Sequence, residues 1–328
     1  MSQPVETTAH SAAVPVNNSK FEHPALSIVV PVYNSEATLP ALVARLDAVL
    51  RGLVPALELI LVNDGSRDAS WRVVTDLARE HDWVRGIDLK RNYGQHNALL
   101  CGVRAAKHEV IVTMDDDLQH PPEEIPKLLA VLAGGADVVY GTPQQEQHDF
   151  LRNLASRVTK IALQSTMGAE TARKVSAFRV FRTSIREAFH DYRSPFVSID
   201  VLLTWGSTRF ASLPVDHRPR TSGVSNYTFR KLVIHAVNMM TGFSTLPLQM
   251  ASIIGFAFTL VGIGVLIYVV GRYFIQGGSI PGFPFLASTI AIFSGAQLFA
   301  LGIIGEYLAR MHFRMMERPT YAVRQHEP

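Results

Sequence analysis

Two hydrophobic periods alternate along the chain from Leu26 to Thr142. Short runs rich in Val and Ile, "LSIVVPVYN" (26–34) and "LELILVNDGS" (57–66), are apolar almost throughout and end in turn residues. That is the pattern of strands buried on both faces of a parallel sheet. Between them, "ATLPALVARLDAVLRGL" places Leu39, Leu42, Val43, Leu46, Val49 and Leu50 at helical intervals, and Gly52 ends the run. The same alternation continues with helix in "SWRVVTDLAREH", strand in "VRGIDLK", helix in "QHNALLCGVRAAK", strand in "EVIVTMD", helix in "PEEIPKLLAVLAG" and strand in "ADVVYGT". The fold class this predicts is α/β, a doubly wound and mostly parallel sheet. Ligands of such sheets bind beyond the carboxyl ends of the strands, where "YNSE", "NDGS" and "DDDLQ" all fall.

The pattern changes after residue 230. No Asp, Glu, Lys or Arg lies between Lys231 and Arg272, and none between Arg272 and Glu306. Uncharged apolar stretches of that length predict membrane spans, placed at about 248–270 and 285–304, each crossing about 30 Å. The connecting "GRYFIQGGSIPGFP" is rich in Gly and Pro, as a tight turn between antiparallel helices requires. Just before the first span, "TFRKLVIHAVNMMTGFST" sets Phe229, Leu232, Val233, Ala236, Val237, Met240 and Phe243 on one helical face, with Arg230, Lys231, His235 and Asn238 opposite. A basic amphipathic helix lying in the membrane interface is expected there.

Charge sets the orientation. Arg230 and Lys231 precede the hairpin, Arg310, Arg314, Arg318 and Arg324 follow it, and the linker carries only Arg272. The expectation is a multi-pass membrane protein with its globular domain and both termini in the cytoplasm. The net charge of +3 is modest, and crowding of basic residues around the spans favours anionic headgroups or a phosphorylated ligand over nucleic acid. The N-terminal "MSQPVETTAHSAAVPVNNSK" lacks the apolar core of a signal peptide and reads as a disordered tail. The chain has one cysteine, Cys101, which excludes an internal disulfide, fits a reducing compartment and is expected as a small buried hydrophobe. The resulting division is a tail (1–24), a globular domain (25–227), an interfacial helix (228–245), a membrane hairpin (246–310) and a cytoplasmic tail (311–328).

The chemistry concentrates in "MDDDLQHPPEEIP" (114–126). Asp115 and Asp117, at i and i+2 after a strand, share one face of an extended chain, while Asp116 points the other way. Two carboxylates with open positions suit Mg²⁺ or Mn²⁺, and Gln119 can add a neutral oxygen. An acidic triplet can equally be solvated or begin a helix, and the residues alone leave both readings open. Glu123 and Glu124, after the prolines, suit a helix N-terminus. Neither GxGxxG nor GxxxxGK occurs, so dinucleotide and Walker-type phosphate binding have no support.

"VVPVYN", "VNDGSRD", "NYGQHNA" and "MDDDLQHPPEEIPKL", followed by "FRVFR", "RTSGVSNYTF" and a two-helix membrane tail, resemble the family-2 glycosyltransferases of the polyprenyl-phosphate type. The resemblance runs from about Leu26 to Tyr321. It implies a GT-A fold, a nucleotide-sugar donor, a divalent metal (Mg²⁺ or Mn²⁺), a polyprenyl (undecaprenyl) phosphate acceptor, a bacterial inner (cytoplasmic) membrane as the setting and a homo-oligomer. The implied product is a lipid-linked sugar for envelope glycan or lipid A modification, formed by inverting transfer of a single sugar. It also implies roles for residues. Pro31 and Tyr33 fall in the nucleotide-binding first loop, with Glu36 nearby, and Asp64 contacts the base or ribose, with Ser66 a further binding residue. Asp115, Asp117 and Gln119 match the D-x-D-x-Q metal pattern, and Asp116 faces the nucleotide. Asp117 thus carries catalysis through the metal, while Arg179 and Arg220 match arginines near the phosphates, ahead of Arg182 and Arg218. The acceptor is already an anion, so no general base is required.

Three positions depart from the family pattern. Ser35 stands between "YN" and Glu36, Asn226 replaces a lysine in the acceptor loop, and Ala177 occupies a position where some relatives carry Asp. His96 and Gln95 of "NYGQHNA" read as capping or packing residues, Ser225 and Tyr227 as binding candidates, and Trp205 as a core or interface aromatic. Competing readings are a processive polysaccharide synthase, expected to show Q-x-x-R-W and more membrane helices, and a catalytically weak membrane-anchored binding subunit.

Overall fold

Residues 23–143, 175–217, 241, 245–276 and 282–327 are described by a computed structural model. The first strands form where the apolar runs placed them: β1 (Leu26–Val32), β2 (Leu57–Asn63), β3 (Val84–Leu89), β4 (Val110–Thr113) and β5 (Val138–Pro143). Helices α1 (Leu39–Leu50), α2 (Ser70–Glu80), α3 (Gln95–Ala105) and α4 (Ile125–Ala133) alternate with them. Beyond the first gap lie β6 (Arg179–Arg182), α5 (Ile199–Gly206) and β7 (Phe210–Val215). The long helices α6 (Leu246–Gln276) and α7 (Phe283–Met315) and a last strand, β8 (Val323–Glu327), follow, and short 3₁₀ helices occupy Pro122–Glu124 and Thr183–Phe189.

The sheet runs β7-β5-β6-β4-β1-β2-β3-β8. Its centre, β4-β1-β2-β3, is parallel, whereas β6 and β8 are antiparallel to their neighbours. The period of two in β1 divides the core. Leu26, Ile28, Val30 and Val32 pack with Leu39, Leu42 and Leu46 of α1 on one face, and Val29 packs with Leu99, Leu100 and Val103 of α3 on the other. Pro31 is tolerated inside a central strand because β4 pairs with β1 only as far as Val29. Val29 offers its carbonyl to Met114 on that side, so the missing N–H of Pro31, two residues on, points past the end of β4, where no ladder bond is lost. Cys101 is buried as expected, and burial pushes its thiol up to about 12.

Two elements differ from the sequence expectation. Residues 323–327, expected as a free cytoplasmic tail, form β8 at the edge of the sheet. And α7 runs past the apolar stretch to Met315. The extension is a charged helix whose Arg310 pairs with Glu306 one turn earlier at 2.7 Å and lies 4.6 Å over the Phe196 ring of the globular domain.

Two helices, α6 and α7, are long and apolar enough to cross a membrane. Their large apolar side chains, among them Phe256, Ile267, Leu298 and Phe299, point outward rather than into a protein core. The helices touch through Phe258 and Phe293, edge to face at 5.8 Å, and a Cβ on Gly262 would come within 3.0 Å of the Phe293 ring. The interfacial helix expected over 228–245 lies almost wholly outside the described residues.

Candidate active site

The loops that leave β1, β2, β3 and β4 converge on one edge of the sheet, and each turns through a left-handed residue. These are Asn34 (φ 56°), Gly65 (φ 64°), Gly94 (φ 97°) and Leu118 (φ 61°). Two of the four are not glycine, and at Leu118 in particular the backbone is strained in the segment that carries the acidic triplet.

The triplet divides by position. Asp116 turns inward: its Oδ2 accepts the Tyr33 N–H at 3.3 Å, and the Ser35 hydroxyl donates to the same oxygen. Burial pushes the Asp116 carboxyl up to about 6, against the hydrogen bonds from Ser35 and Tyr33. Asp116 therefore ties the end of β4 to the first loop. Ser35, one of the departures from the family pattern, supplies that tie and also donates its N–H to Ser70 Oγ at 2.8 Å.

Asp115 and Asp117 are half-buried at the edge of the cleft. Asp115 Oδ1 accepts the side-chain amide of Gln95 at 2.7 Å, and Asp117 Oδ1 accepts the Gln119 N–H at 3.1 Å. Among the described residues no cluster of three or more His, Cys, Asp or Glu is placed to hold a metal. The donor set of two carboxylates and a neighbouring amide fits a hard divalent cation that takes its other oxygens from water and substrate phosphates. Gln95 is the contact that sequence reasoning missed. Its position, first in α3 after the Gly94 turn, was visible, but its partner lies in the loop after β4.

The other residues expected at the nucleotide lie at the end of β1 or on the same loops. Tyr33 is 43% exposed, its ring at the rim, while Pro31 is buried in β1. Asp64 is 2% exposed. Its two oxygens accept the N–H groups of Tyr93 (2.7 Å) and Gly94 (2.8 Å), and burial raises its pKa against those bonds. It clamps the β3–α3 turn. Glu36 likewise serves a helix start, its Oε2 accepting the Ala69 N–H at 2.8 Å just ahead of α2. Ser66 Oγ accepts the Asn34 N–H at 3.0 Å and so joins the first two loops.

Gly65 is the tightest point between the loop after β2 and the loop after β3. A Cβ there would lie 2.5 Å from the backbone N of Asn92 and 2.6 Å from the carbonyl carbon of Arg91, at a φ that disfavours any side chain. Gly65→Ala is expected to destabilise the protein by about 2–3 kcal/mol, from strain and overpacking together. Thermal unfolding in detergent measures it, and an unchanged midpoint would mean that the two loops part without cost.

Arg179 departs furthest from expectation. Neither a surface charge nor an open phosphate ligand, it is 2% exposed, and its Nη1 donates to Asp200 at 2.5 Å in an ion pair. Asp200, in the first turn of α5, also accepts the Tyr140 hydroxyl at 3.2 Å. Arg182 is exposed and 3.5 Å from Asp137. His96 Nδ1 accepts the Ile199 N–H at 3.3 Å, and Asn97 Nδ2 donates to the carbonyls of Tyr93 and Pro195. Both therefore hold the first turn of α3 against the loop before α5, the packing role expected of His96. Trp205 is half-exposed, edge to face with Tyr192. Arg218, Arg220, Ser225, Asn226 and Tyr227 lie outside the described residues.

A family model for Glycosyl transferase family 2 matches residues 27–191. An undecaprenyl-phosphate 4-deoxy-4-formamido-L-arabinose transferase of Enterobacter sp. (strain 638) is 34% identical over 92% of this chain and 93% of its own. The protein of that name from Shewanella sediminis (strain HAW-EB3) is 35% identical over 91% of each chain. Among solved structures, glucosyl-3-phosphoglycerate synthase from Mycobacterium tuberculosis, in complex with Mn²⁺, uridine diphosphate and phosphoglyceric acid, superposes with a TM-score of 0.51. It is 17% identical and covers 68% of this chain and 78% of its own, a likeness of fold.

Proposed function

The chain belongs to glycosyltransferase family 2, and from that premise we propose that it moves one sugar from a nucleotide-sugar donor to undecaprenyl phosphate at the cytoplasmic face of a membrane, with inversion at the sugar carbon. The observation that carries this reading is the placement of Asp115 and Asp117. They stand half-buried where four strand ends meet, in a chain whose membrane-length helix α7 continues directly onto the same domain through Arg310 and Phe196.

In this reading Asp115 and Asp117, with Gln119, hold a divalent cation. Such a cation supplies Lewis-acid neutralisation of the charge that grows on a nucleoside diphosphate leaving group. Gln95 fixes the rotamer of Asp115, and the turn through Leu118 fixes Asp117 with its oxygen on the Gln119 N–H. Asp116, Ser35 and Ser66 hold the first two loops at the spacing a nucleotide requires, and the exposed Tyr33 ring offers a face for the base. The acceptor phosphate attacks as an anion, so the protein's task is alignment and charge stabilisation rather than proton removal. The names of the relatives make a 4-formamido-pentose the first sugar to try. A homo-oligomer and cytoplasmic termini belong to the same proposal.

The test is direct. Purified protein with Mn²⁺, undecaprenyl phosphate and a panel of nucleotide sugars, including the UDP-linked 4-formamido-pentose, is expected to yield one lipid-linked sugar by mass spectrometry. No product with any donor would overturn the proposal.

A further inference from the structure

The C-terminal strand is wired to the loops that line the cleft. In the β3–β8 ladder Asp88 faces Gln325 and Leu89 faces Val323, so Arg324 is the extra residue of a β-bulge. A bulge re-aims the side chain it carries, and here Arg324 Nη1 donates to Asp88 Oδ2 at 3.1 Å while Nη2 donates to the Lys90 carbonyl at 2.9 Å. Asp88 is 1% exposed. Its other oxygen accepts Asn63 Nδ2 at 2.7 Å, and Asn63 Oδ1 accepts the Ser66 N–H at 3.3 Å. Ser66 Oγ in turn accepts the Asn34 N–H at 3.0 Å. The chain of contacts Arg324–Asp88–Asn63–Ser66–Asn34 thus runs from the strand that follows α7 to the first two loops of the cleft.

Each link has a direction that the next depends on. With its amide nitrogen on Asp88 and its oxygen on Ser66, Asn63 has one usable orientation. A buried carboxylate is costly without charged or hydrogen-bonded partners. Without Arg324, Asp88 would keep only Asn63 and would relax or protonate, which removes the acceptor that orients Asn63. Arg324 itself is 57% exposed while the Asp88 side chain is 2% exposed, so the loss of Arg324 falls on the buried carboxylate and on the loops that it orders.

We propose that Arg324 is a positioning residue for the donor nucleotide, and that β8 couples the membrane hairpin to the donor side of the cleft. The inference rests on the glycosyltransferase reading for its ligand and on the geometry alone for the wiring. It assigns the last strand a task beyond closing the sheet edge. Arg79 provides the control, since it pairs with Glu327 of the same strand at 3.3 Å without entering that chain of contacts.

Full-length protein in detergent is compared as wild type, R324A, R324K and R79A. UDP binding with Mn²⁺ is read by calorimetry, and amide hydrogen exchange is read across residues 63–68. R324A is expected to weaken UDP binding about tenfold, the size of one lost buried partner, and to speed exchange at 63–68. R324K should recover much of both, and R79A should match wild type. Should R324A fail to fold, R324Q carries the same expectation. Unchanged exchange at 63–68 in R324A would overturn the wiring whatever nucleotide is bound. Faster exchange with unaltered UDP affinity would overturn the positioning role. Faster exchange in a protein whose wild type binds no UDP would sustain the wiring and count against the donor reading instead.

Discussion

Asp117→Asn is expected to lower turnover roughly 10²- to 10³-fold, the loss typical of removing one preorganised stabiliser of transition-state charge. Asn keeps the shape and an oxygen for the Gln119 N–H that Asp117 Oδ1 now accepts, so the turn through Leu118 should survive and the loss should fall on the cation. Two readouts separate this from misfolding. The Mn²⁺ concentration for half-maximal rate should rise together with the fall in turnover, and the unfolding midpoint should stay close to wild type. Asp116→Asn is the contrasting variant: that carboxylate holds Tyr33 and Ser35 rather than the cleft, so its effect should be smaller and carry no shift in Mn²⁺ dependence. Unchanged turnover in the Asp117 variant would remove the metal assignment.

That contrast marks what the sequence could carry. The apolar runs placed β1 to β5 and the helices between them because burial on both faces writes itself as uninterrupted Val, Ile and Leu. The same pattern located the polar motifs at the strand ends. It could not say which way each carboxylate turns. The direction of Asp64 and Asp116 is set by partners, Tyr93, Gly94, Tyr33 and Ser35, that are distant in sequence and come close only through the sheet order. β8 was illegible for another reason. "VRQHE" has none of the apolar alternation of a buried strand, because an edge strand with a largely solvated face needs none. The run of α7 past the apolar stretch is written in Glu306 and Arg310, one turn apart, a charged pair that apolar length alone does not register.

Arg179 carries the largest expected effect on stability. Arg179→Met should destabilise the protein by about 3–5 kcal/mol, because it strands the Asp200 carboxylate in the core without a counter-charge. The cause is desolvation rather than lost attraction, and this makes a second variant informative. R179M/D200N removes both charges while Asn still offers an acceptor to the Tyr140 hydroxyl that Asp200 now holds. The double variant is expected to recover most of the unfolding midpoint, since a buried pair replaced by groups of similar volume is often neutral. Activity then decides the remaining question, because the family resemblance set Arg179 near the phosphates whereas the structure buries it against Asp200. A stable double variant with near-normal turnover would make Arg179 a core residue whose charge the reaction does not use. A stable double variant with turnover lost and the acceptor KM raised would mean that the guanidinium leaves Asp200 for the lipid phosphate during the reaction. An R179M protein that unfolds like wild type would contradict the buried pair itself.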